Sequence, residues 1–373
     1  MNQNPFVTII KALEMYARKL RPWVLPEYRR AFAELLARGY HPPADGQQQV
    51  CCDFRNGAID LVGGRYYFSL VKDLIDAGFH VVFVAHRPTL STFGVYSLKK
   101  MLLRERFCVI RSLDELEEPY WLITDSDIPP AQNAKHVVKV DYEQRLCRSH
   151  AEMAFPVFVH PQIATGVNVM PAYDVATARV ARIFFGGNTK QGKYDKDVIG
   201  GIYRMLSRRK MLSEALACVS PEMIHRPDDG DRWLSSEDFH SFVLCETQHC
   251  KIPQERWLEA LTKVDFFLAC PGVDMPLCHN LVEALASGAI PILQYADYLQ
   301  PPLENGVNCF AFKDAEGLRK IIAEVLEMDP ERIRAMRGNV SDYYDQFLAP
   351  GCFTKRLLNG PRTLLLNAYR VPR

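Results

Sequence analysis

Late in the chain an apolar run, Phe266-Phe267-Leu268-Ala269-Cys270, stops at Pro271-Gly272. A loop carrying Cys278-His279-Asn280 follows. An Ala/Leu-rich stretch then runs past Glu283 to Gly288, and a second apolar run, Ala289-Ile290-Pro291-Ile292, begins at once. Strand, loop, helix and strand in that order form the repeating unit of an open α/β sheet. The spacing predicts a helix with Glu283 in its first turn and Gly288 at its end. In such sheets ligands sit outside the carboxyl ends of the strands, where helix N-termini present free N–H groups. The segment therefore reads as half of a pocket for an anionic, hydroxyl-bearing ligand such as a nucleotide or nucleotide sugar.

The rest of the chain sets bounds on that reading. Its 373 residues suit two domains. Hydrophobic content of 48% is enough for two cores, and 45 basic against 44 acidic residues gives no global field that would attract nucleic acid. No apolar run reaches the length of a membrane span. The opening residues lack the basic-then-apolar pattern of a secretory leader. Eleven scattered cysteines, several within apolar runs (Cys108, Cys245, Cys270), suit reduced thiols and a cytoplasmic setting. Both ends mix basic and apolar residues: Lys11, Arg18, Lys19, Arg21, Arg29 and Arg30 at one, Lys355, Arg356, Arg362, Arg370 and Arg373 at the other. That mixture suits either solvated helix faces or peripheral contact with the inner face of an anionic membrane.

Read along its length, the chain divides into four parts: a helical segment over 1–45, an α/β domain over 46–160, a second over 161–345, and a basic tail or helix over 346–373. The first domain is expected to open with a strand at Gln49–Phe54, a helix from about Arg65 to Ala77 and a strand at Phe79–Ala85. Further strands are expected at Phe107–Ile110, Tyr120–Thr124 and His136–Val140. The second domain opens with Arg182–Asn188 and continues through a helix at about Asp197–Leu206, a strand at Phe242–Leu244 and a helix at Pro253–Leu261. It then reaches the segment described first, and a last helix is expected at about Ala315–Glu327. The fold class is α/β: two Rossmann-like, doubly wound domains, which such chains set face to face across a cleft.

The second half resembles the C-terminal domain of the GT-B glycosyltransferases, in the manner of the exostosin-like and fucosyltransferase-like groups. The likeness rests on Phe184-Phe185-Gly186-Gly187-Asn188, on Phe266 to Gly272, on His279-Asn280 through Glu283 and Gly288 to Ile292, and on Pro301-Pro302-Leu303-Glu304-Asn305-Gly306-Val307-Asn308. It covers roughly residues 180–330. The resemblance implies a nucleotide-sugar donor on the second domain, a glycan or lipid-linked acceptor on the first, and sugar transfer between them in polysaccharide assembly. Many retaining members carry two glutamates eight positions apart. Here Met275 stands eight before Glu283, a departure that favours an inverting enzyme.

Transfer of this kind needs the leaving diphosphate stabilised, the donor held, and, in the inverting case, a base for the acceptor's proton. Gly186, Gly187, Asn188, Lys190 and Lys193 form a loop suited to diphosphate, since glycines let backbone approach closely and lysines add charge. Arg204, in the following helix, is expected to reach the same place. Gly272, His279, Asn280 and Glu283 complete the donor set. Glu283 would accept hydrogen bonds from donor hydroxyls as the resemblance implies, and Asn280 is also an ordinary helix cap. Asp60 is the leading candidate base, with Asp53, Asp125, Asp141 and Glu143 as rivals. Gly63, Gly64 and Arg65 beside Asp60 would admit the acceptor. With cationic side chains and helix ends on the diphosphate, neither metal nor cofactor is expected. The segment Cys245-Glu246-Thr247-Gln248-His249-Cys250 and the pair Cys278-His279 lack the spacing of a zinc site. No Gly-x-Ser-x-Gly elbow and no Walker-type loop occurs. A sugar-nucleotide epimerase or a phosphorylase on the same architecture, or a non-catalytic scaffold, are the other classes open to such a chain.

Overall fold

The computed structural model describes residues 20–127, 133–166, 172–192 and 198–366. The chain folds as two compact units. The first comprises the described parts of Met1–Glu143, Ser149–Met153 and Thr354–Arg373; the second comprises Gln144–Arg148 and Ala154–Phe353. Lys11, Arg18, Lys19, Lys193, Arg370 and Arg373 lie outside the described residues.

In the first unit β1 (Gln49–Asp53), β2 (His80–Val84), β3 (Cys108–Ile110), β4 (Tyr120–Thr124), β5 (Ala134–Asp141), β6 (Glu152–Ala154) and β13 (Thr363–Leu365) form one sheet in the order β3-β2-β1-β4-β5-β13-β6. The pairs from β3 through to β13 are all parallel. Every residue of β1 and β2 is buried, as expected when helices cover both faces of a parallel sheet. The first five strands follow the doubly wound order, whose direction of winding reverses between β1 and β4.

In the second unit β7 (Ala181–Gly187), β8 (Ile224–His225), β9 (His240–Glu246), β10 (Val264–Leu268), β11 (Ile290–Leu293) and β12 (Phe310–Ala311) form a parallel sheet in the order β12-β11-β10-β7-β9-β8. Its winding reverses between β7 and β10. The crossover His279–Ala286 lies between β10 and β11 in sequence, as the strand–loop–helix–strand pattern predicts. Two Rossmann-like α/β units are therefore present, the architecture the GT-B resemblance implied.

Several elements differ from their sequence expectation. The helix Leu61–Asp76 is broken at its start, where Val62, Gly63 and Gly64 all take positive φ (56°, 67° and 82°). Regular helix begins at Arg65, the residue the periodicity indicated. The helix expected over Asp197–Leu206 is described only as Val198–Tyr203, and Arg204 follows it with φ 56°. An 18-residue helix, Pro330–Phe347, falls where the sequence reading left no element. Of the region expected as a basic tail or helix over 346–373, the structure describes the residues to 366. They hold the helix Cys352–Asn359 and then β13, which lies between β5 and β6 in the first sheet. Thr354 fixes that return: its N–H (2.9 Å) and its hydroxyl (2.7 Å) both donate to Asp73 Oδ2.

Candidate functional site

Both winding reversals carry polar side chains at the strand tips. In the second unit the key residue is Arg208, the first residue of the helix Arg208–Leu216. Its Nη1 donates to the Asn188 carbonyl (3.1 Å), just past β7, and its Nη2 to the Pro271 carbonyl (3.2 Å), just past β10. The guanidinium therefore bridges the two central strands at the topological switch point, and only 9% of the residue is exposed. Ser207 caps its helix by accepting from Lys210 N, which fixes Arg208 at the helix start. Sequence reading missed Arg208. It lies twenty residues beyond the glycine loop, inside a plain Ser-Arg-Arg-Lys run, and only the fold brings it back.

The loop after β7 is built by its own side chains. Asn188 Oδ1 accepts from Lys190 N at 2.7 Å, an Asx turn that leaves the Lys190 side chain exposed beside the strand tip. The Thr189 hydroxyl donates to Glu246 Oε1 at the end of β9. Packing alone accounts for two of the three glycines in the expected donor set. A Cβ on Gly186 would lie 2.6 Å from both Phe184 Cζ and Trp257 Cζ3, so this glycine is required by packing. A Cβ on Gly187 would meet Arg208 Nη1 at an ordinary 3.4 Å. A Cβ on Gly272 would fall 2.5 Å from the Met275 carbonyl, which makes Gly272 a tight-loop residue.

Around the crossover helix the sequence placement needs correction. The helix starts at His279 with Cys278 as its N-cap, so Asn280 is inside the helix and Glu283 is past its first turn. Glu283 is 1% exposed. Its Oε1 accepts from His160 N (3.0 Å) and its Oε2 from Trp257 Nε1 (2.6 Å). The carboxylate thus holds the segment at His160 and the helix at Trp257 in place. His160 Nδ1 in turn accepts from Gln162 N (3.3 Å), and the His160 and His279 rings meet edge to face at 5.5 Å. His279 is half-buried at the helix N-terminus. Arg204 is exposed, and its N–H donates to Gly200 O (3.1 Å) as the chain leaves its helix; it is not one or two turns inside a helix, as was expected.

In the first unit Asp60 does not stand in an open loop. It is 6% exposed; Oδ1 accepts from Lys99 Nζ at 2.7 Å and Oδ2 from the Thr92 hydroxyl at 2.8 Å. Lys99 is fully buried, also donates to the Thr89 carbonyl (2.5 Å), and lies 3.7 Å from the centroid of the Tyr67 ring. Burial raises the Asp60 carboxyl and lowers the Lys99 ammonium to about 8, as expected when low dielectric disfavours both charges. The acceptor role expected of Gly64 meets the same obstacle. A Cβ there would lie 2.6 Å from Lys99 Cγ, so this glycine makes room for the lysine. Gly63 has open space where a Cβ would be, and Arg65 is half-buried.

The residues gathered at the reversal between β1 and β4 are others. Asp53, the last residue of β1, contacts His86 Nε2 through Oδ1 and accepts from the Thr124 hydroxyl (3.0 Å) through Oδ2. Asp125 accepts from Arg55 N (2.7 Å), Asn56 N (2.9 Å) and the Tyr142 hydroxyl (2.7 Å). Burial works against ionisation of Asp53, but the contact with His86, the nearby Arg55 charge and the bond from Thr124 together outweigh it and hold the carboxyl below its usual range. Burial raises Asp125. Asp53 is 3% exposed, whereas the His86 side chain keeps 21% of its surface open. A buried carboxylate behind a partly open imidazole is an arrangement suited to proton transfer. Asp53 was a rival in the sequence; His86 was missed because a single histidine after an apolar strand carries no motif.

No protein-family model matches the chain, and no curated protein matches it. Among solved structures it is similar to Anabaena HepE in complex with UDP, at 11% identity and a TM-score of 0.43, over 83% of this chain and 98% of that one. It is also similar to an alpha-glucosyltransferase in complex with UDP and a 13-mer DNA, at 13% identity and a TM-score of 0.37, over 84% and 98%. A third is WaaG, a glycosyltransferase involved in lipopolysaccharide biosynthesis, at 12% identity and a TM-score of 0.34, over 83% and 99%. The likeness is one of architecture, and no function passes through it.

Proposed function

We propose that this chain is a nucleotide-sugar glycosyltransferase whose second unit binds the donor, while the first unit carries an acid–imidazole pair at the reversal of its own sheet. The observation that carries the reading is Arg208, which bridges the tips of β7 and β10 where the sheet reverses. That position is where doubly wound sheets bind ligands. A guanidinium there, the exposed Lys190 beside it and the N-terminus of the helix at His279 together favour a diphosphate.

The step then follows. In the first unit His86 Nδ1, the ring nitrogen that Asp53 does not hold, is the candidate acceptor for a hydroxyl proton. Asp53 stabilises the imidazolium. The hydroxyl oxygen attacks the anomeric carbon, and the bond from that carbon to the diphosphate breaks. The nucleoside diphosphate leaves with its electron pair, its charge met by Arg208 and Lys190. Attack opposite the leaving group inverts the anomeric centre, and the cationic side chains replace a divalent ion. The acceptor is a glycan or a lipid-linked glycan, met at the inner face of a membrane by the basic ends. Asp60, locked to Lys99, is assigned to holding the first unit together instead of to the base.

A thermal-shift screen against UDP, GDP, CDP and their sugars tests the donor assignment, because a ligand that binds the native state raises its midpoint. The reading expects one nucleoside diphosphate to stand out, with release of that nucleotide from its sugar in the presence of acceptor. Added Mg2+ or Mn2+ should leave turnover unchanged. A flat screen, or equal shifts for every anion, contradicts it.

A further inference from the structure

At the opposite end of the first sheet three side chains converge that neither the proposed reaction nor the sequence motifs use. His80 begins β2 and Cys108 begins β3. Cys108 pairs with Val82. His80 precedes Val82 by two positions, so it points to the same face of the sheet as Cys108. The third side chain is His41, from the loop that leads into β1. That loop is tied to β3: Val109 N donates to the Gly39 carbonyl (3.0 Å), and His41 N donates to Cys108 Sγ (3.4 Å). Arg38 pins the preceding turn through the carbonyls of Leu103 (2.7 Å) and Glu105 (3.2 Å). The result is that one ring nitrogen of His41, one of His80 and the sulfur of Cys108 all lie within 4.8 Å of one another.

We infer that His41, His80 and Cys108 form a binding site for a borderline transition metal, with Zn2+ as its natural occupant. Cys108 Sγ and His80 Nε2 are 3.4 Å apart. In a tetrahedral zinc site, bonds of about 2.3 Å to sulfur and about 2.0–2.1 Å to nitrogen place those two atoms about 3.5 Å apart. The donor set of one thiolate and two imidazoles excludes Mg2+ and Ca2+, which take oxygen ligands. Cys108 is fully buried and His80 is 8% exposed, while His41 faces solvent. The site is thus closed on the sheet side and open on the other, giving an entry path and a fourth position for water. The His41 backbone N–H on the sulfur is an outer-shell bond of the kind that supports a metal thiolate. Binding replaces the thiol proton, which passes to solvent, by an S–metal bond. His80 opens β2 and His86 follows the end of that strand by two positions, so the length of β2, about 13 Å at roughly 3.3 Å per residue, lies between them. The metal therefore sits far from the imidazole assigned as base and staples the loop before β1 onto the sheet.

The test uses the full chain, freed of metal by a chelator and titrated with Co2+ and then Zn2+. One equivalent of Co2+ should produce the near-ultraviolet thiolate-to-cobalt absorption. Zn2+ should displace it and raise the thermal midpoint. Cys108→Ser should abolish the band, and His41→Ala, on the exposed side, should weaken Zn2+ at least tenfold while leaving the metal-free midpoint near wild type. Cys218→Ser should change nothing. No thiolate band in the wild type, a band that survives Cys108→Ser, or unchanged Zn2+ affinity in His41→Ala overturns the assignment.

Discussion

In the proposed reaction Arg208 and His86 have separable roles, and single substitutions should separate them. Arg208→Lys keeps a charge but cannot make both carbonyl contacts, so nucleotide affinity should fall at least tenfold by calorimetry. His86→Ala should leave that affinity within twofold of wild type and lower turnover by roughly 10²–10⁴, the usual worth of a positioned base. Asp53 adds a pH signature. Its carboxyl titrates below the ordinary value in the native state, so the unfolded chain binds the proton first as pH falls. The stability it contributes is present above about pH 3.9 and is lost as pH drops through its lower native value. Urea midpoints followed from about pH 5 to pH 2 should therefore fall less steeply in Asp53→Asn than in wild type, by the linkage rule. An equal slope would mean that the contacts of Asp53 with His86, Arg55 and Thr124 do not together hold its carboxyl ionised in solution.

At the level of single elements, the crossover His279–Ala286 shows what a sequence can and cannot disclose. Its strand–loop–helix–strand pattern was readable because the apolar runs and Gly288 punctuate it, and the element lies where expected. The role of Glu283 was not readable. An acid near a helix start looks like a ligand group until the fold shows Trp257 and the His160 backbone already on it. Glu283→Ala should accordingly act first on stability. It leaves two half-buried donors without their acceptor and should cost at most about 1–3 kcal/mol per group in chemical unfolding. A variant of wild-type stability that had lost nucleotide binding would return Glu283 to the donor set. Gly186 repeats the lesson: a glycine-rich strand end suggests phosphate, yet the missing Cβ is space for Phe184 and Trp257. His86, Arg208 and Lys99 each act through partners more than 30 positions away or across a strand pair, beyond any local pattern.

Across the whole molecule, the two sheets repeat one scheme: a doubly wound order with polar groups at the reversal, the acid and imidazole in the first unit and the guanidinium in the second. The first unit is not complete until the chain returns to it, because β13 is inserted between β5 and β6. Truncation after Phe353 should therefore unfold the first unit, with near-complete loss of protease resistance over residues 46–143, while the second unit stays protected. Protection of both units in the truncated chain would show that β13 is dispensable. The central claim is that the second unit binds the diphosphate of an activated sugar through Arg208 and Lys190. Calorimetry of the nucleoside diphosphate selected by the screen tests it most directly, in wild type, Arg208→Lys and Lys190→Ala. The account predicts one site per chain and at least a tenfold loss in each variant with the thermal midpoint of Lys190→Ala unchanged; equal affinity in all three proteins, or no binding to the wild type, would contradict it.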